Sequence, residues 1–498
     1  MRQWMVAAKK ADFYAIAEKF HVDPVVARII RNREVIGEKN IRIYLGGNLS
    51  DLSDPHQMKD MDRLVEILAQ KIRKQVHIRI IGDYDVDGVT SSHLFLTALR
   101  RVGAKVDVVI PHRIQDGYGL SLHLLQQAKE DGVDTILTCD NGIAAIDEIA
   151  WAKAQKMTVL VTDHHAVPFE EHEGRRTEKK SLADAVVNPH QQDCRYPYKE
   201  LCGAGVAWNV IRVLYENYDM DKREAEDLLD FVAMATVCDV MSLTGENRIL
   251  VKEGLKRIRH TKNIGLQALM QACNVQPENI SAYHFGYVLG PCVNATGRLD
   301  TARHALRLFE TGQETEAEEI ARDLVDLNQE RKELTLQGVE MAKKLCEEGG
   351  YENDPVLVLF LPDVHESIAG LIAGRIREMY NRPVFVLTRG EEGVKGSGRS
   401  TENYSMYENM CGCAELFTKF GGHPMAAGLS LPEENVEKFR RKINENCPLT
   451  VEEVCPDIHI DMAMPVGYAS TELVHQFALL EPFGKDNPSP LFADRNLS

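Results

Sequence analysis

The sequence predicts an α/β protein: a parallel, doubly wound sheet, then a long helical region, then a smaller second α/β unit. Three observations predict it. Short, continuously apolar runs at 76–81, 106–110, 135–137, 159–161 and 185–187 recur at intervals that leave room for a helix between neighbours, the pattern of parallel strands buried on both faces. The stretch 317–348 contains almost no helix breaker and reads as one long helix. Beyond it, apolar runs at 356–360 and 384–387 enclose a helical pattern over 368–379.

Taken in order, residues 1 to 70 read as short helices. Asp23-Pro24-Val25-Val26-Ala27-Arg28-Ile29-Ile30 has a capping carboxylate, a first-turn proline and helical apolar spacing. The parallel sheet follows, and 210–350 reads as mostly helical. In the second unit Gly398, Gly421-Gly422 and Gly428 are expected to mark tight turns, and Ile458-His459-Ile460 is strand-like. The expected divisions are 1–70, 71–255, 256–350, 351–445 and 446–498.

Bulk composition sets outer limits. The chain has 498 residues, 44% hydrophobic and 27% charged, as in soluble globular proteins. No apolar run approaches 18 residues and the N-terminus lacks an apolar signal core, so the expected location is the cytoplasm. The 11 cysteines lack paired zinc spacing and are expected to be reduced packing residues. A net charge of −17 argues against a nucleic-acid ligand unless basic residues are segregated into one groove.

Five segments end apolar runs with metal-seeking residues: Gly82-Asp83-Tyr84-Asp85-Val86-Asp87-Gly88, Cys139-Asp140-Asn141-Gly142, Asp163-His164-His165, Asn188-Pro189-His190 and Cys238-Asp239. All are expected at strand carboxyl ends, where such sheets bind ligands. Alternate residues of an extended segment share a side, so Asp83, Asp85 and Asp87 can line one face. A calcium loop is the competing reading, but no glutamate stands at its twelfth position, near His93 and Leu94. Asp140 alone is an ordinary turn residue; beside the first cluster it becomes the candidate bridge between two ions. The neighbouring histidines should point in opposite directions, one to a metal and one to a substrate phosphate, with Asp163 fixing the imidazole tautomer. Asp239 ends a nearly apolar run, and a buried carboxylate there needs a partner or a cation.

Hard carboxylates with imidazole suit two Mn²⁺ or Mg²⁺ ions. Spaced about 3.5–4 Å apart, such ions clamp a phosphoryl group and lower the pKa of a bridging water. The expected assignment has Asp83 and Asp85 on one ion, Asp87, His164 and Asp239 on the other, Asp140 between them, and His165 stabilising charge on the scissile phosphate.

With Cys202-Gly203-Ala204-Gly205-Val206-Ala207 and Glu246-Asn247-Arg248, these motifs resemble the DHH phosphoesterase superfamily, and within it the RecJ-type single-strand DNA exonucleases. His365-Glu366-Ser367-Ile368-Ala369-Gly370, Gly396-Ser397-Gly398-Arg399-Ser400 and Phe420-Gly421-Gly422-His423-Pro424 resemble the DHH-associated domain. Leu480-Glu481-Pro482-Phe483-Gly484-Lys485-Asp486-Asn487-Pro488 resembles the start of the family's oligonucleotide-binding β-barrel, which the sequence leaves incomplete.

The resemblance implies a metal-dependent 5′→3′ exonuclease that degrades single-stranded DNA to 5′-mononucleotides in repair and recombination. It also implies a monomer that works beside a single-strand-binding protein and a helicase. Arg113, Ser397 and Arg399 would hold a 5′-terminal phosphate, the last two from a glycine-rich turn, and His423 would reach the scissile region from the other lobe. Arg298 would contact phosphate, whereas Cys292 stands where many relatives carry arginine. Tyr118 would stack a base or pack in the core. Phosphate contacts of this kind are blind to base sequence and weaken with salt. The alternatives are a DHH phosphodiesterase for short RNA or cyclic dinucleotides, and a non-catalytic DNA-binding scaffold.

Overall fold

The computed structural model describes residues 4–113, 116–117, 119–172, 175–390, 393–454 and 457–494. It divides into two compact units. The larger comprises 8–328 and 465–490; the smaller comprises 1–7, 329–464 and 491–498. The expected helical connector therefore does not stand apart, because 256–328 packs within the larger unit. The segment expected as one C-terminal piece is shared between the two.

The larger unit is built on five parallel strands, β1 (Ile78–Ile81), β2 (Val106–Val109), β3 (Thr135–Cys139), β4 (Thr158–Thr162) and β5 (Ala185–Val187), in the order β2-β1-β3-β4-β5. The register pairs Ile81 with Val109 and with Thr138, Cys139 with Thr162, and Thr162 with Val187. The carboxyl ends thus finish nearly level, and the loops that follow them share one edge. The inner strands are buried along their length, which is why they read as largely apolar runs, with Arg79 of β1 paired to Asp107 and Asp131.

Helix α1 (Met61–Arg73) and helix α2 (Val86–Arg101) flank this sheet, with α3 (Gly203–Asn217), α4 (Leu229–Cys238) and α5 (Gly245–Ile258) continuing the core. Arg248, fully buried in α5, donates to the carbonyls of Tyr44, Leu479 and Leu480 at 2.8–2.9 Å. Its guanidinium also lies 3.9 Å from the Tyr44 ring centroid. This side chain fastens 465–490 onto the unit.

Helix α6 (Gly290–Leu299) follows, and α7 (Glu314–Glu348) is the expected long helix. In the smaller unit β6 (Leu357–Phe360), α8 (Ala369–Tyr380), β7 (Val384–Gly390), β8 (Gly393–Arg399), β9 (Lys419–His423) and β10 (Ala426–Leu431) form a sheet in the order β9-β10-β8-β7-β6. Only β6 and β7 run parallel. The glycines expected in turns lie inside these strands: Gly398 in β8, Gly421 and Gly422 in β9, Gly428 in β10. A Cβ on Gly398 would stand 2.5 Å from Met406 Sδ and 2.7 Å from the Phe385 ring, so glycine admits neighbouring side chains there. Ile458–Ile460 is a strand, as expected, and pairs in parallel with Trp4–Val6.

His93 is buried in α2, 5% exposed, with its ring 4.4 Å from Phe231 and 5.9 Å from Phe309, centroid to centroid. Burial, aided by the charge of Arg100, pulls its pKa down to about 3. The unfolded chain therefore binds a proton that the folded chain refuses, and stability falls as pH drops below about 6.5. Between about pH 7.5 and 5.5 this one group should remove about 1.4 kcal/mol. Urea unfolding of the protein and of His93→Leu at both pH values should show their stability difference shifting by that amount, with the variant less sensitive to acid.

Candidate metal centre

Four of the five metal-seeking segments converge on the carboxyl edge of the first sheet. Asp83 follows β1 by two residues and is buried. The segment after it stays extended only as far as Asp85 and is helical from Val86. Asp85 is the N-cap of α2, its Oδ1 accepting from Gly88 N at 3.0 Å, and Asp87 lies in the first helical turn. A Cβ on Gly88 would meet the Asp83 backbone at 2.4 Å, so the tight entry into the helix requires glycine. The Asp87 carboxylate accepts from Gly203 N at 2.6 Å and Ala204 N at 2.7 Å, at the N-terminus of α3. Unpaired N–H groups and the helix dipole favour an anion there.

Asp140 directly follows β3 in the left-handed region, φ 61°. Gly203 leaves room for it: a Cβ there would lie 2.6 Å from Asp140 Cβ. Asp239 caps the carboxyl end of helix α4 rather than ending a strand, because its apolar run is helical. His190 is exposed and joins none of the acidic–imidazole clusters found among the described residues. Its segment serves the backbone instead: Asn188 Nδ2 donates to His165 O at 2.9 Å.

The two histidines do not point in opposite directions. Their ring centroids are 4.3 Å apart. Asp163 explains this. Its Oδ1 accepts from His164 N, His165 N and His165 Nδ1 at 2.7, 3.1 and 2.8 Å, and its Oδ2 accepts from Ile143 N at 2.9 Å. The carboxylate curls the backbone around itself and engages His165 Nδ1, while the His165 side chain stays 42% exposed. Burial pushes the Asp163 pKa up, but these donors and the charge of His165 outweigh it, and the carboxyl stays below its usual range.

Three donor sets result: Asp83, Asp85 and Asp140; Asp87, His164 and Asp239; and Asp140, His164 and His165. Within each, ligand atoms lie within 4.8 Å of one another. His164 Nε2 is 3.0 Å from Asp140 Oδ1 and 3.6 Å from both Asp87 Oδ2 and Asp239 Oδ2. Burial first, then neighbouring carboxylates, raises Asp83, Asp140 and Asp239 well above the ordinary carboxylate range and lifts Asp85 as well. Burial lowers His164, favouring the neutral ring that a cation needs. At His165 burial is outweighed by the hydrogen bond to Asp163 and by nearby carboxylates, which push it up to about 9. Asp83 Oδ1 is buried without a hydrogen bond. Packed carboxylates of this kind, with an unsatisfied oxygen and a low-pKa imidazole, fit divalent cations.

Around this cluster, the Arg113 guanidinium lies 4.9 Å over the Tyr84 ring, and Arg298 lies in the last turn of α6, its charge felt at Tyr84. Cys292 is buried in the core, its Sγ 3.3 Å from Val288 O, so it offers no surface contact in place of an arginine. Tyr118 lies outside the described residues. In the smaller unit, Ser397 and Arg399 lie in strand β8, not in a turn, and His423 ends β9. Arg399 reaches the first turn of α8, where a Cβ on Gly370 would stand 2.9 Å from its Nη2. Sequence reasoning assigned no role to Gly203 and Ala204, whose backbone N–H groups hold Asp87, or to Asn294, whose Oδ1 accepts from Val86 N at 3.2 Å. Backbone donors leave no side-chain signature.

Residues 77–236 match the DHH family N-terminal domain, 353–447 the DHHA1 domain and 460–498 the RecJ OB domain. Fold and site thus define a DHH-family protein. The chain is 36% identical over 440 residues to the single-stranded-DNA-specific exonuclease RecJ of Haemophilus influenzae, covering 85% of this chain and 74% of that one. It is 33% identical over 480 residues to RecJ of Bacillus subtilis, covering 96% of this chain but only 59% of that relative's length. The crystal structure of RecJ in complex with Mn²⁺ from Thermus thermophilus superposes with a TM-score of 0.84 at 28% identity, over 99% of this chain and 69% of that one. The chain belongs to the RecJ family of single-stranded-DNA-specific exonucleases.

Mn²⁺ should stabilise the protein by about 2.7 kcal/mol at about 100 times its Kd. Calorimetric titration should show protons released on binding, and affinity weakening as the pH is lowered, because the apo carboxylates hold protons. Asp140→Asn should lose most of the stabilisation. Asp163→Ala strands buried N–H donors and should destabilise the protein by at least about 2 kcal/mol, measured by urea unfolding.

Proposed function

We propose that this chain is a metal-dependent 5′→3′ exonuclease that degrades single-stranded DNA to 5′-mononucleotides in DNA repair and recombination. The observation that carries the reading is the pair of donor sets, one with Asp83, Asp85 and Asp140, the other with Asp87, His164 and Asp239, with Asp140 Oδ1 3.0 Å from His164 Nε2. These residues would hold two Mn²⁺ or Mg²⁺ ions, as the Thermus relative binds Mn²⁺ or Mg²⁺. When bound, such ions supply Lewis-acid stabilisation of phosphoryl charge and an activated water.

The chain's own residues do the rest. Asp163 holds His165 Nδ1, so that Nε2 can donate to a phosphate oxygen. A protonated His165 would suit this role. Tyr84 supports Arg113, whose planar guanidinium can grip a terminal phosphate. Arg298, Ser397, Arg399 and His423 are assigned further phosphate contacts. Such contacts make binding indifferent to base identity and sensitive to salt. No helix among the described residues is long and apolar enough to cross a membrane. The reading has the protein acting in the cytoplasm as a monomer, on strands exposed by a helicase or coated by a single-strand-binding protein.

A 3′-labelled, 5′-phosphorylated single strand incubated with Mn²⁺ should shorten stepwise, while a matching duplex stays intact. Loss of a residue that merely supports a metal ligand costs about 10–100-fold, so Asp140→Asn should cost at least about 100-fold in kcat. Cleavage of a short RNA or a cyclic dinucleotide with the DNA left intact would replace this reading with a small-substrate phosphodiesterase. Metal binding without cleavage of any substrate would favour a scaffold.

A further inference from the structure

Beside the metal centre, within the larger unit, lies a second concavity of about 840 Å³ that the catalytic assignment does not use. Val237, Cys238 and Val240, which bracket Asp239, form one wall. Val240 is exposed and adopts φ 54°, a strained conformation for a β-branched residue and one concentrated at functional sites.

Tyr283 and Tyr287, 63% and 72% exposed, also line the concavity. Their rings are stacked, centroids 5.1 Å apart and planes 24° from parallel. A π-helical turn, Phe285–Leu289, contains Tyr287, and such turns recur at functional sites. Two large aromatics kept in water are a cost unless something covers them.

The charge is as distinctive. Lys252, Lys256, Arg259 and Lys485 line the concavity against one carboxylate, Glu481, in a chain of net charge −17. Lys252 is committed to the carbonyl of Leu45 and Lys256 to Glu253. Among the described residues Arg259 and Lys485 enter no ion pair. Lys485 lines the same concavity as Val237, Cys238 and Val240, the neighbours of Asp239 in the chain, so the basic path begins beside the metal centre.

We propose that this groove binds the single strand beyond the reacting phosphate, with bases stacking on Tyr283 and Tyr287 and phosphates passing Lys256, Arg259 and Lys485. The inference rests on the exonuclease reading and adds a track for the rest of the substrate. Exposed aromatic faces beside a basic groove are the features that hold single strands without sequence preference. An acidic peptide would use the cations but leave the two aromatic faces without bases to stack on.

The test uses an oligothymidylate with hydrolysis-resistant phosphorothioate linkages and 5-iodouracil at successive positions, in Mn²⁺. Irradiation should cross-link it to Tyr283 or Tyr287, located by peptide mass spectrometry. Tyr283→Ala/Tyr287→Ala should raise the Kd by at least about 30-fold, read by anisotropy, with the thermal unfolding midpoint unmoved. Lys256→Glu/Arg259→Glu should weaken binding and lower the slope of log K against log salt by about 2. Unchanged affinity in both variants without a cross-link in the groove, while the unmodified protein still shortens ordinary single strands, would overturn the track and leave the exonuclease reading standing. Polyglutamate binding that both variants abolish, with oligothymidylate unaffected, would also overturn it in favour of an acidic protein partner. Failure of the unmodified protein to bind or shorten any single strand would overturn both.

Discussion

The structure depends on the repulsion among carboxylates gathered at one edge of a parallel sheet. Asp83, Asp87, Asp140 and Asp163 are buried there, with Asp85 and Asp239 beside them. Each is answered differently. Asp163 is saturated by four donors, and Asp87 is held by two N–H groups at the start of α3. Asp83 Oδ1 has no donor. The remaining negative charge must be met by cations or by protons, and the raised carboxyl pKa values express that choice. Level strand ends, glycine at 88 and 203, and the close seat of α3 are the conditions under which this unfavourable grouping can be built.

Much of this was legible in the chain. Strands buried on both faces have no polar side that must face water, so the inner ones appear as largely apolar runs, while the edge strand β2 is only partly buried and carries Asp107. The acidic residues stood out because each ended such a run. Asp239 was the exception in kind: the apolar residues before it suit a buried strand or a buried helix equally, and only packing of α4 against α2 and α5 decides for a helix. Alternation, which predicts a divergent histidine pair, holds only for extended backbone, and Asp163 bends that backbone by accepting from consecutive N–H groups.

The smaller unit was harder to read. Gly398 occupies a strand position where an aromatic and a sulfur-bearing side chain need the space of a Cβ, whereas a Cβ on Gly421 would meet nothing within 4 Å. A glycine required by a neighbour looks the same in a sequence as a glycine required by a turn. The reach of Arg248 was equally hidden. Its partners, the carbonyls of Tyr44, Leu479 and Leu480, are backbone groups more than 200 positions away in either direction.

That clamp bears on how the polypeptide is threaded. The chain passes between its two compact units at 7–8, 328–329, 464–465 and 490–491. Only the second of these crossings lies within helix α7. A protease that severed the long helix would therefore leave three covalent connections intact, and the nicked molecule would keep its original mass under non-denaturing conditions. Neither unit corresponds to an uninterrupted stretch of sequence. Insertion of a foreign segment at any one crossing would change the spacing of a single tether, leaving the order of strands within each sheet untouched.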